Sequence, residues 1–411
     1  MPLERPASRP PGLAEAWRDF GATYAANGFI AFLFAASGPV AIILAVGQGG
    51  GLSEAQLASW LFGAFFVNGL LSILFCWVYR LPLVFFWTIP GTVLVGQALD
   101  HLPFAQVLGA YYVTGVLMLV LGLTGWVRRA MQALPMPIVM GMVAGVFLRF
   151  GLDWLHAFES VFAIAAAMTA AFFVCSAVPR LARRLPPLIG ALAVGVAAVA
   201  ATGTFAPSGE VTLALASPLL QAPAFSLAAL TELVVPLAIT VLVVQNGQGY
   251  AVLAAAGHRQ PPITAVTVGC GLWSLLTAPV GAISTCLTGP ANAIVASSGA
   301  KERHYTGGIF VGVLAILFGL LAPLFTRLML AAPGAFIATL AGLAMLNVLR
   351  VAFVTAFRER FTLGALIAFL YTVADIAIFN IGAPFWGLVF GFATAWLLER
   401  EDFAVQRAAA R

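Results

Sequence analysis

Charge is what this chain has least of. Asp, Glu, Lys and Arg together make 9% of its 411 residues, where a soluble domain carries about 25%. So few charges cannot build a water-facing surface, which excludes a soluble globular fold. Cysteine is scarce too. Cys76, Cys175, Cys270 and Cys286 sit inside apolar stretches without CxxC spacing, which argues against a disulfide framework and against a metal site. The four histidines, His101, His156, His258 and His304, fall at the ends of apolar segments. No HExxH, paired aspartate or serine–histidine set lies within a hydrophobic run, so nothing points to a membrane enzyme or asks for a cofactor. The net charge of +5 is distributed over segment ends and forms no basic patch. Nucleic acid is therefore not an expected partner.

What the chain has in excess is apolar sequence. It is 62% hydrophobic with a mean hydropathy of +1.02, the composition of an all-α polytopic protein of the lipid bilayer. Fourteen transmembrane segments are expected, at 25–46, 56–78, 83–99, 104–127, 135–153, 157–178, 186–203, 228–255, 262–279, 280–299, 305–326, 333–353, 361–379 and 383–398. Residues 1–24 read as a cytoplasmic tail with no cleavable signal, and 399–411 as a second tail. A connector at 204–226, with Pro207, Pro218 and Pro223, divides the chain into halves of seven segments, 25–203 and 227–398.

Basic residues test this count. With a cytoplasmic N-terminus, the inside segments hold Arg5, Arg9, Arg18, Arg80, Arg128, Arg129, Arg180, Arg183, Arg184, Arg259, Lys301, Arg303, Arg350, Arg358, Arg360, Arg400, Arg407 and Arg411. Only Arg149 and Arg327 fall elsewhere, as the positive-inside rule requires. Both termini are then cytoplasmic. Arg149 is expected to snorkel outward or to pair with Asp153, four residues on. The halves also look like repeats. Gly115-Val116-Leu117 and Ala144-Gly145 recur as Gly312-Val313-Leu314 and Ala341-Gly342, at an offset of 197. Seven is odd, so the second repeat runs inverted to the first.

Two segments are broken. Segment 10, VGAISTCLTGPANAIVASSGA from Val280, reads as extended over Ala282–Thr288 and helical over Pro290–Gly299, because proline fits the first turn of a helix but not its interior. Segment 3 repeats the pattern: Phe85, Phe86, Trp87 and Thr88 have strand character, and Pro90, Gly91 and Thr92 open a short helix. Non-helical backbone at membrane depth survives only inside protein or beside a wet cavity. Paired breaks in two halves point to a transporter binding site. A helix N-terminus carries unpaired N–H groups and about half a positive charge. Two of them facing each other would hold an anion without a buried lysine.

The candidate binding residues are Thr88, Pro90, Gly91 and Thr92 on one side, and Thr288, Gly289, Pro290, Ala291 and Asn292 on the other. Ser37 and Gly38 of the ASGP stretch and Gln245 and Asn246 of QNGQGY add polar points in segments 1 and 8. Phe29, Phe32, Phe85, Phe86 and Trp87 offer apolar walls, although packing explains each one better.

Together these stretches carry a resemblance. Trp87-Thr88-Ile89-Pro90-Gly91, Leu148-Arg149-Phe150-Gly151-Leu152, Gln245-Asn246 with Gly249, Gly289-Pro290, Ala341-Gly342-Leu343-Ala344 and Phe385-Trp386-Gly387-Leu388 resemble the benzoate–proton symporter (BenE) family over about 27–400. That resemblance implies a fold shared with nucleobase–proton symporters and sulfate-type anion carriers. It implies a core of segments 1–4 and 8–11 moving against a gate of segments 5–7 and 12–14, and a homodimer in a bacterial cytoplasmic (inner) membrane. The implied function is symport of a benzoate-like organic anion with a proton. A nucleobase or inorganic-anion carrier, or an anion channel, is the alternative. The chain departs from the family at one point: after Gly289-Pro290, members tend to carry Glu-Ala-His, where this chain has Ala291-Asn292-Ala293. The acid and imidazole are missing there, so Glu232 and Asp375 are the remaining candidates for a proton.

Overall fold

The computed structural model describes residues 3–127, 135–178, 185–206, 213–258, 261–376, 378 and 382–409. Arg128, Arg129, Arg180, Arg183, Arg184, Arg259, Arg411 and Pro207 lie outside the described residues. Among those described, eight helices are long and apolar enough to cross a membrane: Ala22–Gly49, Glu54–Tyr79, Phe104–Thr124, Met136–Ser160, Leu227–Ala255, Ile263–Val280, Lys301–Leu320 and Gly334–Phe357. Five shorter apolar helices join them: Ile89–Leu99, Phe162–Ala177, Pro187–Thr202, Thr362–Ala374 and Ala383–Leu398.

The helices pack in two groups. In one, Phe104–Thr124 lies on Ile263–Thr277, and His304–Leu320 lies on Asn68–Tyr79 and Ala22–Ala36. In the other, Met136–Ser160 packs on Gly334–Phe357 and Thr362–Ala374, which in turn packs on Ala383–Leu398. Small residues set these distances, as they do wherever lipid supplies no hydrophobic push between helices. A Cβ at Gly342 would come 2.6 Å from the Phe150 carbonyl and 2.4 Å from Trp154 Cβ. Gly342→Leu is therefore expected to cost at least about 1–3 kcal/mol, lowering the thermal transition in detergent. Gly334→Leu, with nothing within 4 Å, is the neutral control. Equal melting of the two variants would refute the close-contact reading.

Several expectations are corrected in detail. Within the expected extended stretch Ala282–Thr288 of segment 10 the paired strand is Thr285–Leu287, with Thr288 extended beyond it, and it is preceded by a 3-10 turn at Ala278–Val280 and by Gly281 at φ 83. Its helix runs Gly289–Ala296 rather than to Gly299. Segment 11 breaks at Leu321, and Ala322–Leu330 forms a separate helix, because Pro323 in its first turn cannot continue the preceding one. Arg149 pairs with Asp100, just past Ile89–Leu99, Nη1 to Oδ2 3.6 Å, and also attracts Asp153, four residues on. Arg327 pairs with Glu54. The connector is strapped down: Ala216, Gln221 and Ala224 donate N–H bonds to Leu320, Pro279 and Ala105.

The N-terminal segment is also tied in. Arg80 bonds Glu15 at 2.7 Å, and the Tyr305 hydroxyl donates to Asp19 at 2.8 Å. The Glu4 carboxylate accepts N–H bonds from Thr264 and Ala265, both at 2.9 Å, at the start of Ile263–Thr277. Burial pushes the Glu4 carboxyl up, but these N–H bonds outweigh it and hold it below its ordinary 4.5. Its contribution to stability is therefore full above pH 4.5 and fades as pH falls through the lowered value. Glu4→Gln is expected to lower the melting temperature at neutral pH and to match wild type in acid. A difference that is constant with pH would refute the capping role.

Candidate functional site

At the centre of the first helix group, two three-residue strands meet. Strand β1 (Phe85–Trp87) pairs antiparallel with β2 (Thr285–Leu287), with Phe86 opposite Cys286. The pairing continues one residue past each strand: Thr88 N–H donates to Ser284 and Thr288 N–H donates to Val84, both at 3.1 Å. Each strand turns at its threonine into a helix with proline in the first turn, Ile89–Leu99 and Gly289–Ala296. The antiparallel pair thus satisfies the backbone that the breaks release, which hydrocarbon could not do.

A shell of polar side chains holds the strands from outside. Asn292 Oδ1 accepts the Val84 N–H at 3.0 Å, and its Nδ2 donates to the carbonyls of Val84 at 3.0 Å and Thr288 at 2.7 Å. Both of its donors are therefore engaged. Asn246 Oδ1 accepts the Leu287 N–H at 2.7 Å, and its Nδ2 reaches Cys270 Sγ. Ser72 accepts the Phe85 N–H, Ser274 accepts the Thr285 N–H, and Thr285 donates to Asn68 Oδ1. The sequence reading missed Asn68, Ser72 and Ser274. The available signal was their polarity inside apolar runs, with Asn68 and Ser72 four apart on one helix face.

The two helix starts differ. Thr88 caps its own helix: Oγ1 accepts the Gly91 N–H at 3.2 Å and bonds Thr240 Oγ1 at 3.0 Å. Thr92 donates back to the Thr88 carbonyl. Thr288 makes no such cap. Among the described residues its Oγ1 is buried without a hydrogen-bond partner, as are Gln245 Oε1 and Ser284 Oγ. Thr288 is 3% exposed and Gln245 5%, so each orphaned atom costs free energy on the order of 1–3 kcal/mol unless something fills it. Segment Thr240–Gln245, a π-helical turn of the kind that recurs at functional sites, packs on β2. Gln248, exposed in the first turn of the following helix Asn246–Ala255, lies over Gly289, where a Cβ would come 2.6 Å from Gln248 Cγ. Gly91 is equally confined, 2.4 Å from Thr88 Cγ2. Pro290 is half-buried beside Gly289, and Ala291 is fully buried.

Other candidates are placed elsewhere. Ser37 bends its helix and donates to the Phe34 carbonyl at 3.1 Å. Gly38 is a contact between the helix groups, where a Cβ would meet Ala344 Cβ at 2.3 Å. Phe86 and Trp87 pack on Phe65, and Phe85 on Phe75, so they are core. Glu232 lies eight residues before Thr240, about 12 Å along the helix. Asp375 is exposed just past Thr362–Ala374. An apolar cavity of about 290 Å³ lies between Val235 and Ile239 on one side and Ile138, Leu388 and Phe392 on the other; its lining includes no residue of the strands or of the two helix starts, and Val235 and Phe392 are exposed.

Two broken helices meeting over a strand pair define a class by fold. The chain superposes on the transmembrane domain of a cyanobacterium bicarbonate transporter, BicA, with TM-score 0.63 and 16% identity, covering 90% of this chain and 97% of that one. It also superposes on the murine Solute Carrier 26 family member A9 anion transporter in its inward-facing state, with TM-score 0.64 and 14% identity over 96% and 73% of the two chains. The family model described as benzoate membrane transport protein matches residues 19–397, and the chain belongs to that BenE family. It is 30% identical to inner membrane protein YdcO of Escherichia coli over 369 residues, 89% of this chain and 93% of that protein. It is 27% identical to the benzoate membrane transport protein of Acinetobacter baylyi over 389 residues, 93% and 96% of the two chains. The chain is therefore a multi-pass membrane transport protein and not an enzyme, as its sequence led us to expect.

Proposed function

We propose that this protein is a secondary transporter of the inner membrane that moves benzoate or a similar aromatic carboxylate together with a proton, by alternating access. The observation that carries the reading is the uncapped start of Gly289–Ala296, beside the buried Thr288 hydroxyl, which has no hydrogen-bond partner among the described residues. In this reading the carboxylate takes the place of the missing cap, held by the amides around Ala291 and by Thr288, with Gln245 and Gln248 alongside. The self-capped Gly91–Thr92 start faces it as a weaker donor. The 290 Å³ apolar cavity beside Ile239 has room for an aromatic ring.

The architecture in this reading is fourteen crossings in two inverted halves, 25–203 and 227–398, with both termini cytoplasmic. The reciprocal bonds of Thr88 to Ser284 and Thr288 to Val84 support such a two-fold relation. The first helix group is then the moving core and the second the gate, with the gates of a homodimer facing each other. Uptake into proteoliposomes of labelled benzoate, uracil, bicarbonate and sulfate under an inward proton gradient tests the function. Benzoate accumulation is the expected result. Accumulation of another of these instead, or a current that no substrate gradient saturates, would replace the reading with a different carrier or a channel.

A further inference from the structure

Glu232 is 4% exposed, on the π-helical turn Leu230–Val234 at the outer end of the segment that leads to Thr240. A buried carboxylate needs partners. His101, just past Ile89–Leu99, brings Nε2 to 2.9 Å from Glu232 Oε2. The Gly382 backbone covers the other oxygen, where a Cβ would come 2.5 Å from Oε1. Asp375 acts on Glu232 through space. Helices Phe104–Thr124 and Ala383–Leu398 also pack on this turn and carry no charged or histidine side chain. Asp100, beside His101, faces Arg149. His101 and Glu232 thus belong to the first helix group, and Gly382 and Asp375 to the second.

We propose that the His101–Glu232 pair binds the coupling proton, and that its charge sets the hold between the two helix groups. The inference rests on the transport reading and supplies what Ala291-Asn292-Ala293 lacks. Without a proton the pair carries one negative charge and faces a second on Asp375 across the boundary. One proton on the imidazole makes the pair neutral overall and removes the repulsion between like charges. The proton comes from outer water through His101, which is 25% exposed, and leaves to inner water after the groups have shifted. No other bond forms or breaks. A monoanion accompanied by one proton then crosses with no net charge.

Two measurements decide it. In proteoliposomes, Glu232→Gln and His101→Gln are expected to lose benzoate accumulation driven by a proton gradient by about tenfold or more, while benzoate counterflow at equal pH stays at the wild-type level. Wild-type accumulation in both variants, or counterflow falling in step with accumulation, overturns the proposal. His101→Gln decides the matter if the buried replacement at Glu232 does not fold. Independently of any substrate, the melting temperatures of Glu232→Gln, His101→Gln and the double variant should be non-additive, because either single change already removes the 2.9 Å bond. Additive losses overturn the pair. A wild type that carries no benzoate sinks the substrate reading alone, and the cycle still decides the pair.

Discussion

Asn292→Ala is expected to destabilise the protein by about 1–3 kcal/mol for the Val84 N–H it leaves buried and unpaired, in addition to the bonds it removes. The Val84 carbonyl keeps its bond from Thr288 N–H, so the damage centres on one orphaned donor at the start of β1. Asn246→Ala should act in the same way on the Leu287 N–H of β2. The measurement is thermal unfolding in detergent, beside benzoate binding at low temperature. Both variants should melt earlier, and the fraction still folded should bind. If Asn292→Ala melted like wild type and lost binding, Asn292 would be a direct contact and its bonds to Val84 incidental.

Thr288→Val is expected to do the reverse. Valine keeps the shape and deletes a hydroxyl that has no hydrogen-bond partner among the described residues beyond a weak contact with the Cys286 thiol, so stability should hold or rise slightly. Binding should suffer, because a hydrogen bond to a charged group contributes about 1.5–3 kcal/mol, or roughly ten- to a hundredfold in affinity. Thr88→Val, by contrast, removes the cap on Gly91 and the bond to Thr240, and should cost stability first. Isothermal titration with benzoate, paired with melting curves for both variants, separates the two threonines. Unchanged affinity in Thr288→Val would move the carboxylate away from the start of Gly289–Ala296.

These two predictions divide residues that the sequence grouped together. Thr288 and Asn292 both read as donors to the ligand because both are polar residues at membrane depth next to a proline break. Composition carries no information on which polar atom already has a partner. Only the strand pairing, which joins positions some 200 apart, engages Asn292 with backbone and leaves the Thr288 hydroxyl open among the described residues. The same holds for Asn68, Ser72 and Ser274, whose partners lie on segments that local patterning cannot bring together. His101 and Glu232 lie 131 positions apart, so neither one's sequence surroundings disclose the other.

The sequence by itself determined the solvent, the class and the break points. A chain with 9% charge cannot face water, and helices are the cheapest way to satisfy backbone groups in lipid. Proline at 90 and 290 cannot sit inside a helix, so each must start one. Those constraints are local, and they appear in the structure as the two short helices of the family's fold. What needed the tertiary structure was the asymmetry of the junction. One threonine caps its own helix and bonds Thr240, while its counterpart leaves a helix start and a hydroxyl open. Two nearly equivalent local sequences take different hydrogen bonds because different neighbours, Thr240 against one and Gln248 against the other, are packed over them.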